Sequence, residues 1–244
     1  MGILKKSFGF SVGVAVGIAS AVTYHNWDKE LHPTSFPILE RKGFTLAYDT
    51  RGKIPFWTHE RLTAESLAKK ADRQEVSFYE ERDIYAPHRS RLKDYSKSGF
   101  DRGHLVPAGN QTFSKEGLKE TFSLSNICPQ HPQCNRGVWK KLEESIRRLV
   151  VQEGALEVVS GPLFLSHEEN GKRYVTYQVI GENEVAVPTH FFKVVQTARQ
   201  AWAYVIPNAP VSGELETFLF PLDQLEKISG IQLFSNPHVV HVVR

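Results

Sequence analysis

The run Asp101-Arg102-Gly103-His104 sets an imidazole two residues after a guanidinium, with a glycine between them. Imidazole exchanges a proton near neutral pH, and a guanidinium presents a planar fork that matches phosphate oxygens. Gly103 lets backbone or ligand approach closely, and Asp101 can orient or neutralise a nearby cation. Downstream lie Leu124-Ser125-Asn126, then Asn135-Arg136-Gly137-Val138-Trp139, then Leu142-Glu143. An amide and a carboxylate supply oxygen donors, and Mg²⁺ takes oxygen, gives up water reluctantly and is often held by few protein groups plus substrate phosphate. Together these types offer a proton acceptor, a fork for phosphate and oxygen donors for a hydrated cation. One histidine among the chain's ten would carry no weight, and His104 stands out by its neighbours.

Charge is distributed to suit that chemistry. The 244 residues sum to only +3, yet residues 82–104 hold six Lys/Arg against three Asp, and residues 135–149 hold five against two Glu. Both basic stretches overlap the motifs. Arg136, Lys140, Lys141, Arg147 and Arg148 are either contacts for a sugar-phosphate backbone or a solvated helix face. Trp139 reads as core rather than as a base-stacking platform. Composition is ordinary for a globular chain at 41% hydrophobic and 23% charged, which excludes a disordered, collagen-like or multi-span membrane protein. Cys128 and Cys134 make no disulfide framework, and with His131 they fall one ligand short of a structural zinc site, so they read as free thiols.

The elements that must position these residues follow from periodicity and turn chemistry. Phe44 to Tyr48 and Trp57 to Glu60 read as strands around an Asp-x-x-Gly turn, and Thr63 to Lys70 as a short helix. Residues 82–100 form a loop leading into the Asp-Arg-Gly-His run. Ser114 caps a helix over residues 114–121, and Ser123 to Ile127 reads as a strand ended by Pro129. Val138, Leu142, Ile146 and Leu149 recur at helical spacing, predicting one helix from Asn135 to Val150. On such a helix Asn135 and Glu143 are ~80° apart in rotation and about 12 Å apart along the axis, a gap that a hydrated ion bridges through water. Strands are expected at Leu156–Ser160, Tyr174–Ile180, Thr189–Val195, Ala201–Ile206 and Val239–Val243, with a helix at Leu222–Ser229 closed by Gly230. The fold class is α+β, a mostly antiparallel sheet flanked by helices.

Residues 1–27 stand apart. Ser7 to Thr23 carries no charge and follows Lys5 and Lys6. Ala19-Ser20-Ala21 suits signal cleavage, whereas Gly9, Gly13, Gly17 and Ala21 make a small-residue helix face, with Tyr24 and Trp27 as interfacial aromatics. A stretch of about 20 residues is enough to span a bilayer, which favours an uncleaved anchor with the bulk of the chain across the membrane. Residues 28–43 read as a linker, and residues 44–244 as the folded domain.

The order Asp-Arg-Gly-His, Leu-Ser-Asn, Asn-x-Gly-x-Trp, Leu-Glu resembles the DNA/RNA non-specific endonucleases with a ββα metal motif. Pro107-Ala108-Gly109-Asn110, Glu120 to Asn126 and Tyr177-Gln178-Val179-Ile180-Gly181-Glu182 look closest to the mitochondrial endonuclease-G-like exonuclease subgroup, over residues 44–235. The resemblance implies His104 as general base, Arg102 on the transition-state phosphate and Asn135 as the one direct protein ligand of Mg²⁺, with Mn²⁺ as a substitute. It implies Glu143 holding metal-bound water and Asn126 supporting the arrangement. A second phosphate-binding arginine is implied, for which Arg73 and Arg82 are alternatives. Substrates would be DNA and RNA, cut to 5′-phosphate and 3′-hydroxyl ends with little base preference. The subgroup continues with a C-terminal helical extension, and since this sequence ends at Arg244, cutting is expected within strands. The subgroup also implies a mitochondrial inner-membrane protein, a bacterial source a periplasm-facing one. Relatives are commonly dimers, although no interface is legible in the sequence.

Two rivals belong to other classes. A membrane-tethered nucleic-acid binder would retard DNA in EDTA and leave it intact with Mg²⁺. A hydrolase of small phosphodiesters would not need two basic stretches, and its rate would be insensitive to salt.

Overall fold

The computed structural model describes residues 36–68, 76–233 and 240–242, and the compact unit that holds them begins at Ser35. The expected anchor at residues 1–27 lies outside the described residues, as does Arg73. Among the described residues no helix is long and apolar enough to cross a membrane.

The elements in chain order are β1 (Ile38–Glu40), β2 (Phe44–Asp49), β3 (Ile54–Thr63), α1 (Ala64–Ala68), β4 (Asp101–His104), α2 (Lys115–Glu120), β5 (Ile127–Gln130), α3 (Pro132–Cys134), α4 (Lys140–Glu153) and β6 (Ala155–Leu163). They continue with β7 (His167–Glu169), β8 (Lys172–Tyr174), β9 (Val179–Ile180), β10 (Val185–Ala186), β11 (His190–Gln196), β12 (Gln200–Pro207), α5 (Leu222–Ser229) and β13 (Val240–Val242). A seven-stranded sheet in the order β1-β2-β3-β6-β11-β12-β13 is antiparallel except for the β12–β13 pair. This is the expected α+β architecture.

Period-two alternation gives the sheet two buried faces. Leu62, Val158, Phe191 and Val195 enter one core with Trp139, Leu142, Ile146 and Val150 of the helical layer. Val159, Leu163, Phe192 and Val194 enter a second with Leu222 and Leu225 of α5. At about 25 cal/mol per Å² of apolar surface, a face covered by a whole helix is worth several kcal/mol, enough to fix α4 against the sheet.

Four segments depart from the sequence reading. The linker ends early, because Leu39 is buried in a three-residue edge strand pairing with β2, too short to show as alternation. Leu124–Asn126 is a 3₁₀ turn and the strand begins at Ile127, running through Pro129. The β4–β5 ribbon is two-stranded, so a residue without an N–H is tolerated there. Residues 175–178 are irregular between β8 and β9. Every side chain from Gly171 to Val179 is exposed, so the alternation there has no face to bury. The helix expected from Asn135 becomes regular only at Lys140. Asn135–Trp139 forms a wider π-type turn in which Gly137 takes φ −104°, ψ −108°, outside the helical region. The spacing worked out for a regular helix between Asn135 and Glu143 therefore does not apply.

Candidate active site

Strands β4 and β5 pair antiparallel with Asp101 opposite Gln130 and His104 opposite Ile127. The 22 residues between them carry α2, and α3, the π-type turn and α4 follow β5 directly. A strand ribbon feeding a helix thus brings the His104 end of one motif beside the Asn135 end of another. Gly103 is required for this ribbon to close, since a Cβ there would lie 2.2 Å from Gln130 Oε1.

A cleft of about 540 Å³ is lined by Phe78, Arg102, His104, Pro107, Ala108, Gly109, Asn135, Arg136, Lys140, Glu143 and Arg147. Six of the expected residues meet there: His104, Arg102, Asn135, Glu143, Arg136 and Lys140. The imidazole of His104 packs against the ring of Phe122 edge-on at 5.0 Å and against Phe78 at 5.3 Å, leaving it few alternative orientations. Arg102 also lines the cleft, its Cζ 4.5 Å from the Phe78 ring centre in cation–π contact.

Asn135 is oriented by Asp101. Its Nδ2 donates to Asp101 Oδ2 at 2.9 Å, and Arg136 donates to both carboxylate oxygens, Nε to Oδ2 at 2.8 Å and Nη2 to Oδ1 at 2.6 Å. With its nitrogen engaged, the amide presents its oxygen as the remaining donor to a cation. Burial alone would raise the Asp101 pKa, but the hydrogen bonds from Arg136 and Asn135 outweigh it and hold the carboxyl below its ordinary value.

Asn126 does not reach the cleft. It is fully buried, accepts from Val106 N–H at 3.0 Å and donates to Val106 O and Thr121 O, both at 2.9 Å. Its backbone carbonyl accepts from Leu105 N–H. Its side chain and carbonyl pin the two residues after His104, whereas the sequence reading set it among the site residues themselves. Arg82 sits apart as well, on a neighbouring groove lined by Tyr79, Arg89, Lys115 and Lys119, which meets the cleft at Phe78. Of the helix cations, Arg147 enters the cleft and donates to Asn110 Oδ1 at 3.1 Å, whereas Lys141 pairs with Glu214 and Arg148 lines a different hollow beside Trp202.

Sequence reasoning passed over Phe78, Glu60 and Lys193. Phe78 carried no signal beyond being aromatic in a polar stretch. Lys193 did: it is the one charge in the apolar run His190–Gln196, on the same strand face as Phe191 and Val195. Burial lowers its pKa, opposed by the carboxylates of Glu60 and Glu143. Burial raises that of Glu60, against the influence of Lys193 and hydrogen bonds from Asn110 and Gln111.

The donors suit a hard cation. Asn135 and Glu143 offer oxygen, and among the described residues no cluster of three or more His, Cys, Asp or Glu forms a protein-only cage. That matches an ion held largely by water and phosphate. The thiols do not compete. Cys128 and Cys134 are buried and unbridged, and burial pushes Cys134 up to about 11 and Cys128 well above its ordinary value.

A strand ribbon bearing histidine, joined through a π-type turn bearing the amide to a helix bearing the carboxylate, defines the ββα-metal nuclease fold. The chain belongs to the DNA/RNA non-specific endonuclease family, whose model matches residues 31–239. It is 43% identical over 204 residues to human mitochondrial endonuclease G, covering 80% of this chain and 69% of that protein. To the mitochondrial nuclease EXOG of Xenopus laevis it is 37% identical over 257 residues, covering 93% and 72%. A solved complex of EndoG with EndoGI superposes with a TM-score of 0.81 at 38% identity, covering 86% of this chain and 91% of the other. The protein is therefore a nuclease, and its fold is that of endonuclease G.

Proposed function

We propose that this protein is a Mg²⁺-dependent nuclease of DNA and RNA, with Mn²⁺ as a substitute, cutting mainly within strands to leave 5′-phosphate and 3′-hydroxyl ends. The observation that supports this most directly is the single cleft lined together by His104, Arg102, Asn135 and Glu143. Asn135 would hold the cation through its amide oxygen and Glu143 through water, and the bound ion would neutralise phosphate charge and favour departure of the 3′ oxygen. His104, held between Phe78 and Phe122, takes the proton of the attacking water. Arg102 and Arg147 bind the phosphate oxygens whose charge grows in the transition state. Arg136 and Lys140 at the rim draw in the polyanion without reading bases, which accounts for weak sequence preference.

The test is incubation of the full-length chain with supercoiled plasmid and Mg²⁺, beside His104→Ala and an EDTA control. Nicking lost in both controls is the expected result. Retardation of intact plasmid in Mg²⁺ and Mn²⁺ alike would instead make the protein a binder. Loss of a circular single strand at the rate of a linear one tests cutting within strands. Residence in mitochondria, as the names of its relatives suggest, with residues 1–27 as an inner-membrane tether, is tested by fractionation and alkaline carbonate extraction. Assembly as a homodimer is tested by light scattering.

A further inference from the structure

The sheet face beneath the cleft is apolar except for a cluster on three adjacent strands. Lys193 of β11 lies in register with Ser160 of β6, which lies in register with Thr58 of β3, and Glu60 follows two residues later on the same face. Lys193 is 1% exposed and Glu60 2%. Burying two ionisable side chains under a helical layer is worse for packing and solvation than two apolar ones of similar size, so their presence calls for a role beyond filling space.

Their contacts lead to the cleft along two arms. Lys193 Nζ donates to Leu105 O at 3.0 Å and to Ser160 Oγ, and stands 4.7 Å from the ring centre of Trp139. Trp139 Nε1 donates in turn to His104 O at 3.2 Å. The carbonyls of His104 and of its successor are thus both held from below, one by Lys193 and one by the indole that Lys193 supports. Glu60 accepts from Asn110 Nδ2 at 2.9 Å and from Gln111 Nε2 at 2.8 Å. Asn110 spends its oxygen on Arg147, so Glu60 sets which way that amide faces and thereby where the guanidinium points.

We propose that Lys193 and Glu60 form a buried positioning pair through which the central sheet fixes His104 on one side of the cleft and Arg147 on the other. The proposal rests on His104 and Arg147 acting as described above. Neither Lys193 nor Glu60 touches substrate. Their effect is on the placement of groups that do, where a misplacement of about 1 Å costs on the order of 100-fold in rate.

The experiment compares Lys193→Met, Glu60→Gln and the double variant in the full-length chain. Three quantities are read: kcat and KM on a single-stranded oligonucleotide, the unfolding midpoint without metal, and the His104 imidazole ¹³C resonance without metal, assigned by its loss in His104→Ala. Lys193→Met alone should lower the midpoint, because Leu105 O and Ser160 Oγ lose their donor and buried Glu60 loses a nearby positive charge. The double variant also removes the Glu60 charge and should recover part of the midpoint. Its kcat should stay about 10–100-fold down with KM within about twofold, and its His104 resonance should remain displaced. Recovery of kcat together with the midpoint would overturn the proposal, leaving a pair that matters only for folding. An unmoved His104 resonance in the double variant would overturn it too. Ser160→Ala, which removes one Lys193 partner and buries no new charge, carries the test if Lys193→Met does not fold. It leaves one Lys193 proton unpartnered, so it should lower the midpoint modestly as well as kcat, and wild-type kcat there would refute the Lys193 arm. A wild-type chain without nuclease activity would sink the functional reading, while the resonance and the midpoint would still report on positioning.

Discussion

Replacing Asp101 with leucine should raise the Mg²⁺ concentration needed for half-maximal nicking by about 10–100-fold, with most of the rate recovered at saturating Mg²⁺. The amide of Asn135 has two faces. Its nitrogen is engaged by Asp101 Oδ2 at 2.9 Å, so its oxygen is the face left for a cation. A hydrogen bond to a charged group contributes about 1.5–3 kcal/mol, which corresponds to roughly 10–150-fold in the equilibrium that favours this orientation. The Arg136 contact is given no weight, because that guanidinium side chain is 72% exposed. Without the carboxylate the amide samples other rotamers and the flipped orientation, and the cation must select the productive one from among them. Asp101→Asn keeps one acceptor and loses the charge, so its requirement should rise only about 3–10-fold, the difference between a charged and a neutral hydrogen bond. The assay is plasmid nicking titrated with Mg²⁺, alongside thermal unfolding to show that the β4–β5 ribbon persists. A half-saturating concentration within twofold of wild type in Asp101→Leu would refute the reasoning. So would a rate lost equally at all Mg²⁺ concentrations, which would place the role of Asp101 elsewhere than on Asn135. The pH dependence has a definite sign. The Asp101 pKa is depressed in the fold, so its contribution is fully present above the ordinary value of 3.8 and is lost as pH falls through the lower folded value.

Asn126→Ala strands two carbonyls and one N–H of the buried segment, and should destabilise by about 2–5 kcal/mol in urea unfolding, with kcat falling alongside. An unchanged midpoint would show that water replaces the side chain. Gly103→Ala drives a methyl into Gln130 and should cost about 1–3 kcal/mol, read in the same way, with nicking impaired. Arg102→Ala should abolish most nicking, whereas Arg82→Ala, outside the cleft, should change kcat less than about threefold; equal losses would mean that the groove beside Phe78 takes part in catalysis. Thiol reagents should label the native chain slowly at neutral pH and leave nicking intact, because both thiols are buried and held protonated; rapid labelling would refute that burial.

What the sequence made legible and what it hid divide along a physical line. Local chemistry was legible: the Asp-Arg-Gly-His run and the amide and carboxylate downstream converge on one cleft, joined there by Arg136, Lys140 and Arg147 of the basic surplus. Long regular elements were legible too, because α4, β6, β11 and β12 bury a repeating face. Short or irregular backbone was not. The π-type turn at Asn135–Trp139 is invisible to a helical period, since Val138 and Trp139 stay buried whether or not the turn is widened. The roles of buried polar groups depend on partners far along the chain: Glu60 meets Asn110 fifty residues away, and Lys193 meets Leu105 across 88.

That division bears on how the site works. The residues proposed to touch substrate come from two short stretches whose types and order are legible in the sequence. Of those that hold them in place, Asp101 belongs to the β4 ribbon, while Lys193 and Glu60 come from the central strands and are marked in the sequence by a charge where the pattern demands an apolar residue. Lys193 in the midst of His190–Gln196 is such a charge, and so is Glu60 in β3. Under the proposed function the rim reads no bases, and accurate placement of His104 and Asn135 falls to the groups packed against them. Two of the groups doing that, Asp101 and Lys193, act by fixing which way an amide or a carbonyl faces. Their removal should therefore leave the cleft present and its residues intact, with activity lost through orientation alone.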